Sequence, residues 1–157
     1  MKFKLPAGLL AVCLLLGISS CVDNNKCSDT NLTAQINVSP FTSCTITASA
    51  VGNRIQINAQ ENEPRAYRSI QLILPNAVGH YTIGQQGVDD TYASTSLAGA
   101  QPVEYVSDSL RTGTLDITTF DATNHKASGT FSFAAYDHTG VNGTKTVTNG
   151  VFTDVKW

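Results

Sequence analysis

Three histidines, His80, His125 and His138, are the only imidazoles in the 157-residue chain. One falls at a strand start and two in separate loops. There is no His-x-His pair and no His-Glu-x-x-His segment, so each ring reads as solvated or hydrogen-bonded, and no metal-ligating set is assigned. Serines are plentiful, yet no Gly-x-Ser-x-Gly elbow presents one as a nucleophile. No glycine-rich loop leads into a helix whose N-terminus would hold phosphate. Carboxylates are the remaining option. Asp89 and Asp90, close to Gly87, lack the spacing of a loop that gathers the roughly 6 to 8 oxygens calcium takes. With Asp137 they motivate one alternative, a small carboxylate-dependent hydrolase of envelope or extracellular glycans, which needs two carboxyl groups facing each other across a cleft. Tyr67, Tyr81, Tyr92, Tyr105 and Tyr136 serve either as half-buried packing residues or as a platform for sugar or lipid. No catalytic or cofactor-binding residue emerges from this survey, and no cofactor is expected.

The residue with the most definite chemistry is a cysteine near the start. Lys2 and Lys4 precede an apolar run, Leu9 to Leu16, that falls short of the roughly 20 residues a membrane-spanning helix takes. A basic start and a short apolar run are the marks of an export signal. The run ends in Ile18-Ser19-Ser20-Cys21, which resembles the bacterial lipobox, where an aliphatic residue and two small ones precede a cysteine that becomes lipid-modified. The resemblance implies cleavage before Cys21 and a chain held at a membrane through lipid on that residue. More than one acyl chain makes such anchoring stable, because each buried methylene is worth about 0.8 kcal/mol.

The expected organisation is therefore a removed signal over 1–20, a lipidated cysteine and flexible polar tether over 21–31, and a single antiparallel β domain over 32–157. Cys13 leaves with the signal and Cys21 carries lipid, so of four cysteines only Cys27 and Cys44 remain. In an exported chain they either pair as a disulfide or stand apart as a tether thiol and a small core residue. With Lys2 and Lys4 gone from ten basic residues, eight face twelve acidic ones. No cluster of lysine and arginine is present, which argues against nucleic acid as a partner.

Period-two alternation runs through almost the whole body and would line one face of successive strands. Ala34, Ile36 and Val38 form one set, Cys44, Ile46, Ala48 and Ala50 a second, and Ile55, Ile57 and Ala59 a third. The Gly52-Asn53 pair predicts a hairpin between the last two. Ser69 to Leu74 is the most apolar run and is placed centrally. Gly113 to Phe120 and Gly129 to Tyr136 predict a further hairpin. The final run, Thr144 to Trp157, contains Asn149-Gly150, a strong turn signal. A turn there would put Lys145 opposite Asp154, whereas a continuous strand kinked near Gly150 puts Val147, Val151, Val155 and Trp157 on one face, and the continuous strand is preferred. No stretch keeps helical spacing for three turns. The expectation is an all-β antiparallel meander of nine to ten strands, folded as a β-sandwich or flattened barrel to deal with its edges.

Gly113-Thr114-Leu115-Asp116-Ile117-Thr118, Ser128-Gly129-Thr130-Phe131-Ser132-Phe133 and Val147-Thr148-Asn149-Gly150-Val151-Phe152, with Gly79-His80-Tyr81-Thr82-Ile83 upstream, resemble the landmarks of small β-rich Bacteroidota lipoproteins of uncharacterised function. The resemblance implies an outer-membrane lipoprotein facing the periplasm or the cell surface, and carries over no catalytic residue. Asp108-Ser109-Leu110 is similar to the short acidic-hydroxyl-aliphatic motif that such bacteria O-glycosylate at the hydroxyl, here Ser109. The functional expectation is a membrane-anchored, non-catalytic binding or structural domain whose ligand is a glycan, a lipid or an envelope protein.

Overall fold

The computed structural model describes residues 27–61, 67–84, 91–98 and 102–157. Cys13, Cys21, Asp89 and Asp90, and with them the expected signal and the expected lipidation position, lie outside the described residues. Eleven strands are present: β1 (Leu32–Ile36), β2 (Ser39–Thr42), β3 (Thr45–Val51), β4 (Arg54–Gln60), β5 (Tyr67–Pro75), β6 (Gly79–Ile83), β7 (Tyr92–Ala98), β8 (Val103–Val106), β9 (Gly113–Asp121), β10 (Lys126–Asp137) and β11 (Thr144–Lys156). All ladders between them are antiparallel. No helix occurs among the described residues, and the sheet curls into a half-barrel.

The strand order is β2-β1-β11-β10-β8-β7-β5-β4-β3. Strand β10 is the trunk, with β11 along one edge. Its other edge carries β9 over Lys126 to Phe133 and β8 at Tyr136 and Asp137, so the sheet forks there and β9 takes β6 as its outer neighbour. The alternation in the sequence does the work of closure. Leu32 and Ala34, Ile55 and Ile57, Ile70, Leu72 and Leu74, Leu115 and Ile117, Phe131 and Phe133, and Val147 and Phe152 all turn to one side and form a single core. Each large aliphatic or aromatic side chain so buried contributes about 1.5–3 kcal/mol.

The first apolar set is not one strand, because its last member, Val38, falls on a turn and a separate strand, β2, follows it. Ile36 ends β1, Asn37 adopts a left-handed φ of 56°, and the chain reverses into β2. Val38 sits on that turn and is 89% exposed. An asparagine tolerates this backbone because its short side chain bonds locally. Asn37 Oδ1 instead bonds across strands, accepting the Thr146 backbone N–H at 3.1 Å.

Strand β11 runs through Asn149-Gly150 without turning. The extra residue at Asn149, with φ 52°, is a bulge felt by both neighbours, since two residues of β10 and of β1 each span three of β11 there. The rings of β10 and β11 explain the glycines. Gly129 lies opposite Phe152 and Phe131 opposite Gly150. A methyl on Gly129 would meet the Phe152 ring at 2.7 Å, and one on Gly150 the Phe131 ring at 2.6 Å. Each phenylalanine ring covers the opposing glycine, a pairing that restores packing where a strand lacks a side chain.

Strands β2 and β3, the two ends of the order, are consecutive in the chain and joined only by the corner Ser43-Cys44. Ser43 is wholly buried. Its Oγ donates to Asp29 O at 2.8 Å and accepts the Leu32 N–H at 3.1 Å. Cys44 is joined to Cys27 by a disulfide, and its carbonyl accepts the N–H groups of Ser28 and Asp29, both at 3.2 Å. The stretch from Cys27 to Asn31, expected to belong to a tether over 21–31, is thus fastened to the domain. Among the described residues, strand β2 forms no ladder on its outer edge. It is four residues long and contains Pro40, a residue suited to edges because it has no N–H to donate.

Candidate functional site

The two ends of the half-barrel differ, and the difference is visible in how its inward-facing rows terminate. Along β5 the row Leu74, Leu72, Ile70 continues to Arg68. Along β11 the row through Val147 continues to Lys145, opposite the buried Ala135. From β1, Ile36 gives way to the turn at Asn37 and Val38. Between these lie Thr95 and Leu97 of β7, with Leu97 opposite Arg68, and Tyr105 of β8, opposite Thr95. They enclose a cleft of about 250 Å³ at the open mouth of the barrel. Its position follows from incomplete closure, because the β1–β2 turn stands over β7 without hydrogen-bonding to it as a strand.

The two cations of the mouth have different surroundings. Arg68 is neutralised: Nε and Nη2 donate to the two carboxylate oxygens of Glu61 at 2.5 and 2.7 Å. Nη2 also reaches Pro40 O on β2 at 2.6 Å, which ties β5 to the free edge across the seam. This paired, fork-shaped contact is the arrangement that favours arginine over lysine. Lys145 is half-buried and stands over the Tyr105 ring, Nζ 5.4 Å from its centroid. No carboxylate among the described residues lies within ion-pair distance of it. The nearby hydroxyls are engaged: Thr95 Oγ1 donates to Ser69 O at 2.9 Å, and Ser69 and Ser96 share a hydrogen bond of 2.6 Å.

The opposite end is filled by aromatic rings. Trp157 stacks on Phe120 with centroids 4.9 Å apart, and the edge of His125 meets it at 5.8 Å. The backbone N–H of Trp157 donates to His125 O at 3.1 Å, which holds the last residue against the β9–β10 turn. A shallower depression of about 190 Å³ remains beside these rings.

The residues singled out in the sequence do not converge. His80 pairs with Asp116 across β6 and β9 on an exposed face, Nδ1 to Oδ1 2.5 Å. His138 meets the Tyr136 hydroxyl at 3.1 Å, and His125 belongs to the aromatic end. Asp137 is buried and already committed to its loop. Its carboxylate accepts from Thr139 Oγ1 (2.5 Å) and N (2.9 Å) and from Asn142 Nδ2 (2.8 Å) and N (3.1 Å). These bonds, the Thr139 hydroxyl foremost, hold its carboxyl far below the usual carboxylate range by stabilising the charged form. A group so bound is suited to fixing the loop and unsuited to acid catalysis near neutrality. No cluster of three metal-ligating side chains occurs among the described residues.

The tyrosines have separate surroundings: Tyr67 is exposed, Tyr105 is buried beneath Lys145, and Arg111 lies 4.0 Å over Tyr136. Ser109 is exposed at the tip of a tight turn. There Asp108 Oδ1 accepts the N–H groups of Leu110 (3.0 Å) and Arg111 (2.7 Å).

Arg68, Leu97 and Lys145 are not marked as a site by their sequence context, and Tyr105 is marked only as one of five tyrosines that could pack or form a platform. The signal for two of them is a break in alternation, where a row of inward aliphatic residues ends in a cation one step before the strand does.

Comparison with family models matches residues 28–156 to DUF6252, a domain of unknown function. No curated protein matches, and no solved structure matches. The matched segment begins next to Cys27, where the disulfide fastens the chain, and ends with β11. With nearly all of the folded domain inside it, the chain belongs to the DUF6252 family.

Proposed function

We propose that this chain is a lipid-anchored cell-envelope protein of the Bacteroidota lipoprotein type, held at the outer membrane through Cys21, whose β domain is a non-catalytic binding module with its site at the barrel mouth. The observation that carries the binding role is the contrast between the two ends: one is stopped by the Trp157–Phe120 stack, while the other opens into a cleft where Lys145 has no acidic partner among the described residues. Mouths of small β-barrels are places where ligands are held. The hydrolase alternative draws no support from Asp137, whose oxygens are occupied by its own loop. The Ser109 turn is sterically open to O-glycosylation.

Two experiments test the halves of this proposal. Cys21→Ser should abolish metabolic labelling with a fatty acid and release the protein from the membrane fraction; undiminished labelling overturns the anchor. For the binding module, the domain is incubated with an envelope extract, washed and denatured, and the released small molecules are identified by mass spectrometry. The same is done with Leu97→Trp, which fills the cleft. Compounds released from the parent but not the variant support the reading, and identical profiles contradict it.

A further inference from the structure

We infer that the mouth cleft takes an aliphatic carboxylate, with its carboxylate on Lys145 and its chain against Leu97 and Ile36. This rests on the mouth being the binding site and adds the chemistry of what fills it.

The charge argument comes first. A half-buried lysine is stabilised by a counter-charge, because removal from water disfavours the ammonium. Arg68 has that counter-charge in Glu61, and Lys145, among the described residues, has the face of Tyr105. Asp137, opposite Tyr105 in the ladder, is the acid of the same inner face, but its carboxylate is held by Thr139 and Asn142. Lys145 is therefore the cation of the mouth with no carboxylate in contact among the described residues, and its ammonium can meet a carboxylate on the ligand.

Shape and surface supply the rest. Leu97 is 42% exposed although it lies in the inward row, and Ile36 and the side of the Tyr105 ring continue the same apolar wall. About 250 Å³ lies just below the range of sites that enclose drug-sized molecules, which suits a single medium-length chain. A sugar is less well served. Stacking needs a free aromatic face, Tyr105 is 4% exposed and Lys145 covers its ring, while the hydroxyls of Ser69, Thr95 and Ser96 are bonded to one another or to the backbone.

Calorimetric titration of the disulfide-intact domain with octanoate, octan-1-ol and octylammonium tests this. The expectation is saturable binding of octanoate, with octan-1-ol about ten- to a hundredfold weaker, as for loss of a charge-assisted hydrogen bond, and octylammonium weaker still. Lys145→Met keeps the aliphatic stem, removes the charge and should reduce octanoate to the level of the alcohol. Lys145→Arg should restore most of the affinity, which separates loss of charge from damage to the fold. Equal binding of octanoate and octan-1-ol, both lost in Leu97→Asp and neither changed in Lys145→Met, overturns the carboxylate while leaving the mouth as the site. Octanoate binding unaffected by Lys145→Met and Leu97→Asp, or no binding of any of the three together with identical extract profiles for parent and Leu97→Trp, overturns the mouth itself.

Discussion

If one end of the barrel is a stopper and the other a site, truncating Trp157 should cost stability and leave mouth binding alone. Removing a fully buried tryptophan costs about 3–5 kcal/mol. Trp157 is half-buried, so its share of that is about 2 kcal/mol, and the stack on Phe120, with centroids 4.9 Å apart, adds about 0.5–1.5 kcal/mol. Trp157→Ala should therefore lower unfolding stability by about 2.5–3.5 kcal/mol. In a domain of this size that moves the thermal midpoint by about 9–13 °C. The chain has one tryptophan, so unfolding is followed by circular dichroism in urea, and octanoate affinity by calorimetry. In the parent protein the same tryptophan is a fluorescent reporter of the stoppered end, and its emission should not change when octanoate binds. A stability loss below about 1 kcal/mol would show that the stack does not hold that end together. An affinity change of more than about threefold in Trp157→Ala would show that the two ends are not independent.

Opening the strap with Cys27→Ala and Cys44→Ala together should cost about 3 kcal/mol, the chain-entropy value for a separation of 17 residues; an unchanged urea midpoint would mean that the hydrogen bonds of Ser28 and Asp29 to Cys44 suffice. The lowered pKa of Asp137 contributes stability that is complete above the ordinary aspartate range and drains away as pH falls through and below 3.8. Asp137→Asn should flatten that acid limb in urea titrations at stepped pH, and an equally steep limb in the variant would contradict the assignment. Gly129→Ala places a methyl 2.2 Å from Asp116 O and 2.7 Å from the Phe152 ring, an overpacking that should cost about 1–3 kcal/mol; a midpoint within error of the parent's would show that the ring can move aside.

The strands were legible because their inward rows are long and simple. Ile55-Ile57-Ala59 and Ile70-Leu72-Leu74 could only bury on one side, and Gly52, with φ 62°, made the hairpin between β3 and β4 readable. The preference for a continuous β11 agrees with the structure, but Val151 does not share the face of Val147, because the bulge at Asn149 turns Gly150 and Phe152 inward and leaves Val151 exposed. The reason for continuity lies in contacts between strands, because Phe131 needs Gly150 beneath it and a turn there would remove the pair. The first apolar set was misread because Ala34, Ile36 and Val38 keep perfect alternation across a reversal. Only the left-handed backbone at Asn37, an asparagine role that local sequence marks weakly, separates β1 from β2. The mouth was the least legible feature. Lys145 lies 40 residues beyond Tyr105 in the chain and comes to rest over it only because β8 and β11 flank β10, an order that no alternation pattern encodes.

Backbone amide shifts in two-dimensional NMR measure directly where a ligand sits. On adding octanoate, the largest shifts should fall at Asn37 to Ser39, Thr95 to Leu97 and Lys145, with Trp157, Phe120 and His125 unmoved. Shifts centred on Trp157, or spread evenly over the sheet, would contradict the mouth as the site.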